Sequence, residues 1–240
     1  MFIFDVDGTL TPSRQKIDPD FKQWFTENIH DYCFVTGSDK EKTIEQVGLD
    51  MFVGAKYSFQ CNGNDVYFYG KHIESNEWTL PSNAKRWLNE QLEESNFPLR
   101  TGLHIEHRPG MVNFSIVGRN ATHSERGLYV KYDKASDERT LIAEMFNSKF
   151  TKLEAKAGGE TGIDIGPKGA DKSQILKFVL DLDGTLTMFN EKLKFYGDRM
   201  DEAGNDYPLA KVILDNSHGT CYNVEDYKDT WTLLKAHIND

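Results

Sequence analysis

Cysteine is scarce in this chain. Its three residues, Cys33, Cys61 and Cys221, are odd in number, far apart and without a CxxC pair. That excludes a disulfide framework and a zinc cage, and it reads as a reduced, intracellular protein placed in the cytoplasm. Basic charge is in deficit: 28 Lys and Arg face 38 Asp and Glu, a net −10, which argues against a protein built to coat nucleic acid or an anionic membrane. Long apolar runs are absent, none approaching the ~20 residues of a membrane helix. The opening stretch from Met1 to Val6 carries Asp5 and no basic flank, unlike a secretory signal. What is present is 240 residues with 38% hydrophobic and 28% charged content, enough for one large domain or a core plus a smaller one.

The first part of the chain alternates short apolar strands with amphipathic helices. Phe2 to Val6 reads as a strand, 19–29 as a helix with Phe21, Trp24, Phe25 and Ile29 on one face, Tyr32 to Val35 as a strand, and Asp39 to Val47 as a helix stopped by Gly48. That rhythm predicts a parallel sheet with helices on both faces. From about residue 62 the signals turn antiparallel. Pro81-Ser82 opens a helix with Ala84, Trp87, Leu88 and Leu92 on one side, Pro109-Gly110 joins Leu103–Arg108 to Val112–Val117, a helix covers Glu138–Phe150, and Gly158-Gly159 joins two further strands. The spacing therefore predicts an α/β core made of 1–77 and 168–240, interrupted by an inserted α+β cap at 78–167 with an antiparallel sheet. One motif recurs: DVDGTLT at 5–11 returns as DLDGTLT at 181–187. The stretch beyond Thr187 is too short for a second α/β domain, so the second copy is a local echo.

Asp5 and Asp7 lie at the end of the first strand, at the edge of an open α/β sheet where ligands bind, and Gly8 lets the chain turn just beyond them. One carboxylate can attack phosphorus while its neighbour moves protons to and from the leaving oxygen. Like charges so close call for a cation, and oxygen donors suit Mg²⁺. Thr36-Gly37-Ser38 ends the second strand and opens a helix, offering hydroxyl and N–H groups to phosphate. Lys172 can offset charge on a phosphorylated carboxylate, and Asp198, Asn205 and Asp206 come after another apolar strand.

In that order these segments resemble the haloacid-dehalogenase-like (HAD-like) phosphotransferases. Longer stretches narrow the resemblance to the eukaryotic phosphomannomutase family: DVDGTLTPSRQ (5–15), VTGSDKEKTIEQVG (35–48), IEHRPGMVNFSIVGR (105–119), KYDK (131–134), GGETGIDIGPKGADK (158–172) and FYGDRMDEAGND (195–206). The resemblance implies a Rossmann-like core with a substrate-binding cap, Mg²⁺ dependence and a hexose phosphate as substrate. It implies Asp5 as the phosphoryl-accepting nucleophile and Asp7 as the acid/base. Asp5, the main chain of Asp7 and Asp198 match metal ligands, with Asn205 and Asp206 close by. Arg14 matches a core-side substrate arginine, Arg108, Arg119 and Arg126 match cap arginines that grip phosphate, and Asp164 matches a sugar-contacting acid. Gly162 stands where the family has serine, which removes one hydroxyl contact. A homodimer through the cap is also implied, to which apolar residues of the 82–95 helix would contribute.

A mutase must hold a sugar by the phosphate that is not reacting, and guanidinium forks suit that distal site. The expected cycle passes a phosphoryl group from Asp5, charged by a hexose 1,6-bisphosphate activator, to the sugar phosphate and back, with cap closure excluding water. Two other readings share parts of this set: a sugar-phosphate phosphatase, which needs no bisphosphate, and a non-catalytic sugar-phosphate-binding protein. Mannose and glucose phosphates are not separated by these motifs.

Overall fold

The computed structural model describes residues 1–181 and 192–239. The chain divides into two units, Met1–Ser75 with Asp171–Asp240, and Asn76–Ala170.

The first unit holds a seven-stranded sheet in the order β11-β10-β1-β2-β3-β4-β5. Its strands are β1 (Phe2–Phe4), β2 (Tyr32–Val35), β3 (Tyr57–Gln60), β4 (Asp65–Phe68), β5 (Lys71–Ser75), β10 (Leu193–Gly197) and β11 (Gly219–Asn223). The five strands from β11 to β3 run parallel, and β4 and β5 add an antiparallel hairpin. Parallel strands are buried on both faces, which is why Tyr-Cys-Phe-Val in β2 is buried throughout. One apolar cluster, with Phe4, Phe21, Phe25, Phe34 and Tyr196, fills one side of the sheet, and another, with Ile3, Val35, Phe59, Val179 and Phe195, fills the other. Helices α1 (Pro19–Asn28), α2 (Lys40–Val47), α3 (Leu49–Gly54), α7 (Leu176–Asp181), α8 (Tyr207–Asp215) and α9 (Tyr227–Asn239) belong to this unit. Asp18 caps α1 by accepting from the N–H groups of Asp20 and Phe21, and Asp39 caps α2 through Lys42 N–H. The cap of α2 is therefore Asp39 and not the Thr36-Gly37-Ser38 segment before it. Strand order reverses at β1, whose neighbours are β10 and β2, and such a switch point opens a crevice beyond the strands' carboxyl ends.

The apolar run leading into the second motif copy is helical: Ile175 ends a 3₁₀ turn and Leu176–Asp181 form α7. Apart from its first residue, the echo at 181–187 lies outside the described residues.

The second unit carries a four-stranded antiparallel sheet, β6-β7-β9-β8, from β6 (Ile105–Arg108), β7 (Met111–Phe114), β8 (Leu153–Gly158) and β9 (Gly162–Pro167). Helices α4 (Ser82–Glu94), α5 (His123–Ser136) and α6 (Glu138–Lys149) accompany it. Alternation sorts the two faces: Ile105, Val112, Phe114, Ile163 and Ile165 join Trp87, Leu88, Tyr129, Ile142 and Phe146 in one core. Ala84, Trp87 and Leu88 of α4 are thus spent inside their own unit, and so is the face expected to contribute to self-association. Strand β7 stops at Phe114, short of the expected Val117, and the chain then passes through Gly118, whose φ of +90° and close approach to the Thr101 carbonyl admit no side chain.

Candidate active site

Three carboxylates of the first unit meet beyond the carboxyl ends of β1 and β10. Asp5 comes directly after β1, Asp198 directly after β10, and Asp206 precedes α8; one oxygen from each lies within 4.8 Å of the other two. Lys172 leads a short 3₁₀ turn capped by Asp171 and is completely buried. Its ammonium donates to Asp5 Oδ1 and Asp206 Oδ1, both at 2.7 Å. Asp206 Oδ2 accepts from the Arg199 N–H at 3.1 Å. Asn205, beside it, is half-buried.

Burial dominates the electrostatics here. It raises the Asp5 carboxyl well above the usual range; Lys172 opposes this, while Asp206 and Asp198 add to it. Asp198 is pushed up to about 7, first by burial and then by Asp206, against the pull of Lys172 and Arg199. Burial alone would lower Lys172, but Asp206 and Asp5 more than offset it and hold the ammonium charged above its usual range. Asp5 and Asp198 thus retain protons that a divalent cation would displace. An all-oxygen donor set of this kind fits Mg²⁺.

Gly8 fits into this cluster with φ +83°, and a Cβ there would fall 2.5 Å from Asp198 Oδ2. Gly8→Ala is expected to cost about 1–2 kcal/mol in thermal unfolding, the usual left-handed penalty, and to weaken Mg²⁺ binding by displacing Asp198. Unchanged Mg²⁺ titration of the variant would sink that expectation.

Asp7 does not share the Asp5 cluster. Its Oδ1 accepts from Arg14 N–H at 2.5 Å and Gln46 Nε2 at 2.8 Å, and its Oδ2 from the Ser38 hydroxyl at 3.3 Å. Although Asp5 and Asp7 stand two apart, both lie past the end of β1, so strand alternation does not set their directions. Thr36 Oγ1 accepts from Ser38 N–H at 3.1 Å, and Thr36 and Ser38 carbonyls accept from Asn62 and Cys61. Thr36, Gly37 and Ser38 therefore form a laced turn beside Asp7.

The second unit gathers its polar residues on the sheet face opposite its core. Register places Glu106 beside Asn113, Asn113 beside Asp164, and Asp164 beside Lys156, one row across four strands. Arg108 Nη2 and Arg119 Nε reach the same Glu106 oxygen at 2.5 and 3.0 Å. Arg119 also donates to Asn113 Oδ1 at 3.1 Å, and Asn113 Nδ2 donates to Asp164 at 2.7 Å. Arg108 lies on β6, but Arg119 sits in the loop after β7 and Arg126 on α5, where it pairs with Glu160 at 3.4 Å. Of these three cap arginines only Arg108 is on a strand. Nothing in the sequence marks Glu106 and Asn113 as members of this row. At Gly162 an added Cβ would meet Asn113 Nδ2 at 2.5 Å, so the asparagine amide occupies the space a serine would claim.

The model of the eukaryotic phosphomannomutase family matches residues 22–240. The chain belongs to that family. The phosphomannomutase of Saccharomyces cerevisiae is 34% identical over 255 aligned residues, covering all of this chain and 94% of the relative. That of Schizosaccharomyces pombe is 32% identical and likewise covers the whole chain and 94% of its own length. Phosphomannomutases are isomerases, so the family places this chain among them. The fold is shared with the HAD subclass IIB sugar phosphatase BT4131, at TM-score 0.57 and 14% identity over 98% of both chains. No helix among the described residues is long and apolar enough to cross a membrane.

Proposed function

We propose that this family member interconverts mannose 6-phosphate and mannose 1-phosphate by way of an aspartyl-phosphate at Asp5. What supports this is a pair of guanidiniums, Arg108 and Arg119, that Glu106 pre-orders in the cap, suited to a second phosphate besides the one at the carboxylate cluster of the core. A phosphatase needs one phosphate site, whereas a mutase needs a distal one to hold the sugar. Pre-ordered guanidinium forks bind phosphate with little further loss of side-chain freedom, and Arg126 of the same unit would add to the grip.

In this reading a hexose 1,6-bisphosphate charges Asp5. The phosphoryl group passes to the free hydroxyl of the bound sugar phosphate, whose proton goes to Asp7. The bisphosphate turns over, Asp5 attacks the other phosphorus, and Asp7 returns the proton to the departing oxygen. Asp5, Asp198 and Asp206 would hold Mg²⁺, which supplies charge neutralisation at the phosphoryl oxygens. Lys172 holds Asp5 in place and offsets negative charge beside it. Asp164, tied to Asn113, would read a sugar hydroxyl. A cap-mediated homodimer belongs to the same reading.

The test is incubation with mannose 6-phosphate and Mg²⁺, monitoring mannose 1-phosphate and free phosphate with and without glucose 1,6-bisphosphate. Mannose 1-phosphate formed in dependence on the bisphosphate is expected. Phosphate release that ignores the bisphosphate would make the protein a phosphatase, and absence of both products would leave a binding protein.

A further inference from the structure

Among the buried side chains near the site, Gln46 stands out. It is 1% exposed on α2, and its Nε2 donates both to Asp7 Oδ1 at 2.8 Å and to Thr11 Oγ1 at 3.0 Å. Its Oε1 is buried and has no hydrogen-bond partner among the described residues. Leaving a buried amide oxygen unsatisfied costs roughly 1–3 kcal/mol, so a group placed this way calls for a reason. Leucine or methionine at position 46 would fill similar volume without that cost; what they lack is the N–H.

The surroundings supply the reason. Asp7 sits in a turn and not on a strand, and nothing in regular secondary structure aims its carboxylate. Its Oδ1 is held by Arg14 N–H, and Arg14 takes φ +57°, a left-handed conformation uncommon for a residue with a side chain. Lys42, one helical turn before Gln46 and on the same side of α2, donates to the Arg14 carbonyl at 3.1 Å. Gln46's own carbonyl accepts from Ile17 N–H at 2.9 Å. One face of α2 thus fastens the 7–17 segment at four points, Asp7, Thr11, Arg14 and Ile17, and of these α2 residues only Gln46 touches the Asp7 carboxylate itself.

We infer that Gln46 is a positioning residue for the proposed acid/base, its amide N–H aiming the Asp7 carboxylate for proton transfer. The inference rests on Asp7 serving as acid/base under the proposed function. A proton donor must lie within hydrogen-bond reach of its oxygen, and a carboxylate held at Oδ1 by two N–H groups presents Oδ2 in one direction, where it accepts only the Ser38 hydroxyl at 3.3 Å among the hydrogen bonds formed here.

The test compares wild type with Gln46→Met and the isosteric Gln46→Glu, which keeps the shape and, when ionised, cannot donate. The measurements are kcat and KM for mannose 6-phosphate, the solvent deuterium isotope effect on kcat, and the Mg²⁺-dependent shift in melting temperature. For both variants kcat is expected to fall about 10–100-fold, part of the 10²–10⁴ that acid/base catalysis contributes. KM should stay within about twofold, the Mg²⁺ shift should persist, and the isotope effect should rise as proton transfer becomes slower. Full activity in Gln46→Met overturns the inference, as does full activity in Gln46→Glu at a pH where that carboxyl is ionised, or a loss in which kcat, KM and the Mg²⁺ shift move together with an unchanged isotope effect. The rate is read on whichever product the wild type forms, so a phosphatase outcome refutes the mutase reading without deciding Gln46. A wild type that turns over neither product overturns the role of Asp7 and the inference with it.

Discussion

Asp5→Asn is expected to lower mutase turnover by about 10⁴-fold or more, the scale on which removal of a covalent nucleophile acts. The exchange is nearly isosteric. Asparagine keeps an oxygen for the Lys172 ammonium that now reaches Asp5 at 2.7 Å, and it relieves the crowding of three carboxylates whose oxygens lie within 4.8 Å of one another. The variant should therefore fold, and the loss should fall on chemistry. Two measurements separate this from simple damage. Wild type incubated with glucose 1,6-bisphosphate should gain the mass of one phosphoryl group, and the variant should not. The same exchange at Asp181, which heads the second copy of the motif, should leave turnover standing. Retained activity in Asp5→Asn, or its loss in Asp181→Asn alone, would move the nucleophile to the other copy and undo the proposed cycle.

The residues of the carboxylate cluster were legible in sequence because each adjoins an element that sequence patterns reveal. Asp5 comes after an apolar strand and before a glycine, Asp198 ends FYGD, and Lys172 closes GADK. Their convergence results from the order of β10, β1 and β2 in a parallel sheet. Gln46, Glu106 and Asn113 carried no such mark. Gln46 acquires its role from the face of α2 turned to the 7–17 segment, and Glu106 and Asn113 acquire theirs from cross-strand register; neither is a property of neighbours in sequence. Helix α5 is hard to see in the sequence for a related reason. Its buried residues are Arg126, Tyr129 and Asp133, two of them charged, so hydrophobic periodicity does not find it. The usable signal was the Thr122–Glu125 capping box, which the structure forms in full. Placing Arg126 on a helix then separates it from the strand that bears Arg108.

Lys172→Met is expected to destabilise the protein by about 3–5 kcal/mol at pH 8 without metal, because it leaves buried carboxylates without their cation. The ammonium and both of its partners, Asp5 and Asp206, are buried, so solvent cannot take its place. The pH dependence identifies the cause. An acid whose folded pKa lies above its unfolded value binds more protons in the native state, so its contribution to stability is present below the unfolded pKa and lost as pH rises through the folded one. Asp198 moves from an ordinary 3.8 to about 7 in the wild type, and Asp5 moves the same way. Metal-free wild type should thus lose stability between about pH 4 and pH 7, and added Mg²⁺, which competes with those protons, should restore more at pH 8 than at pH 5. In Lys172→Met one influence that lowers both carboxyls is gone, so the variant should approach wild type near pH 5, where they are protonated, and fall away steeply above it. Chemical unfolding at both pH values, with Mg²⁺ and with a chelator, measures all four combinations. A deficit of equal size at pH 5 and pH 8 would show that Lys172 contributes packing alone, and the charge balance assigned to the cluster would be wrong.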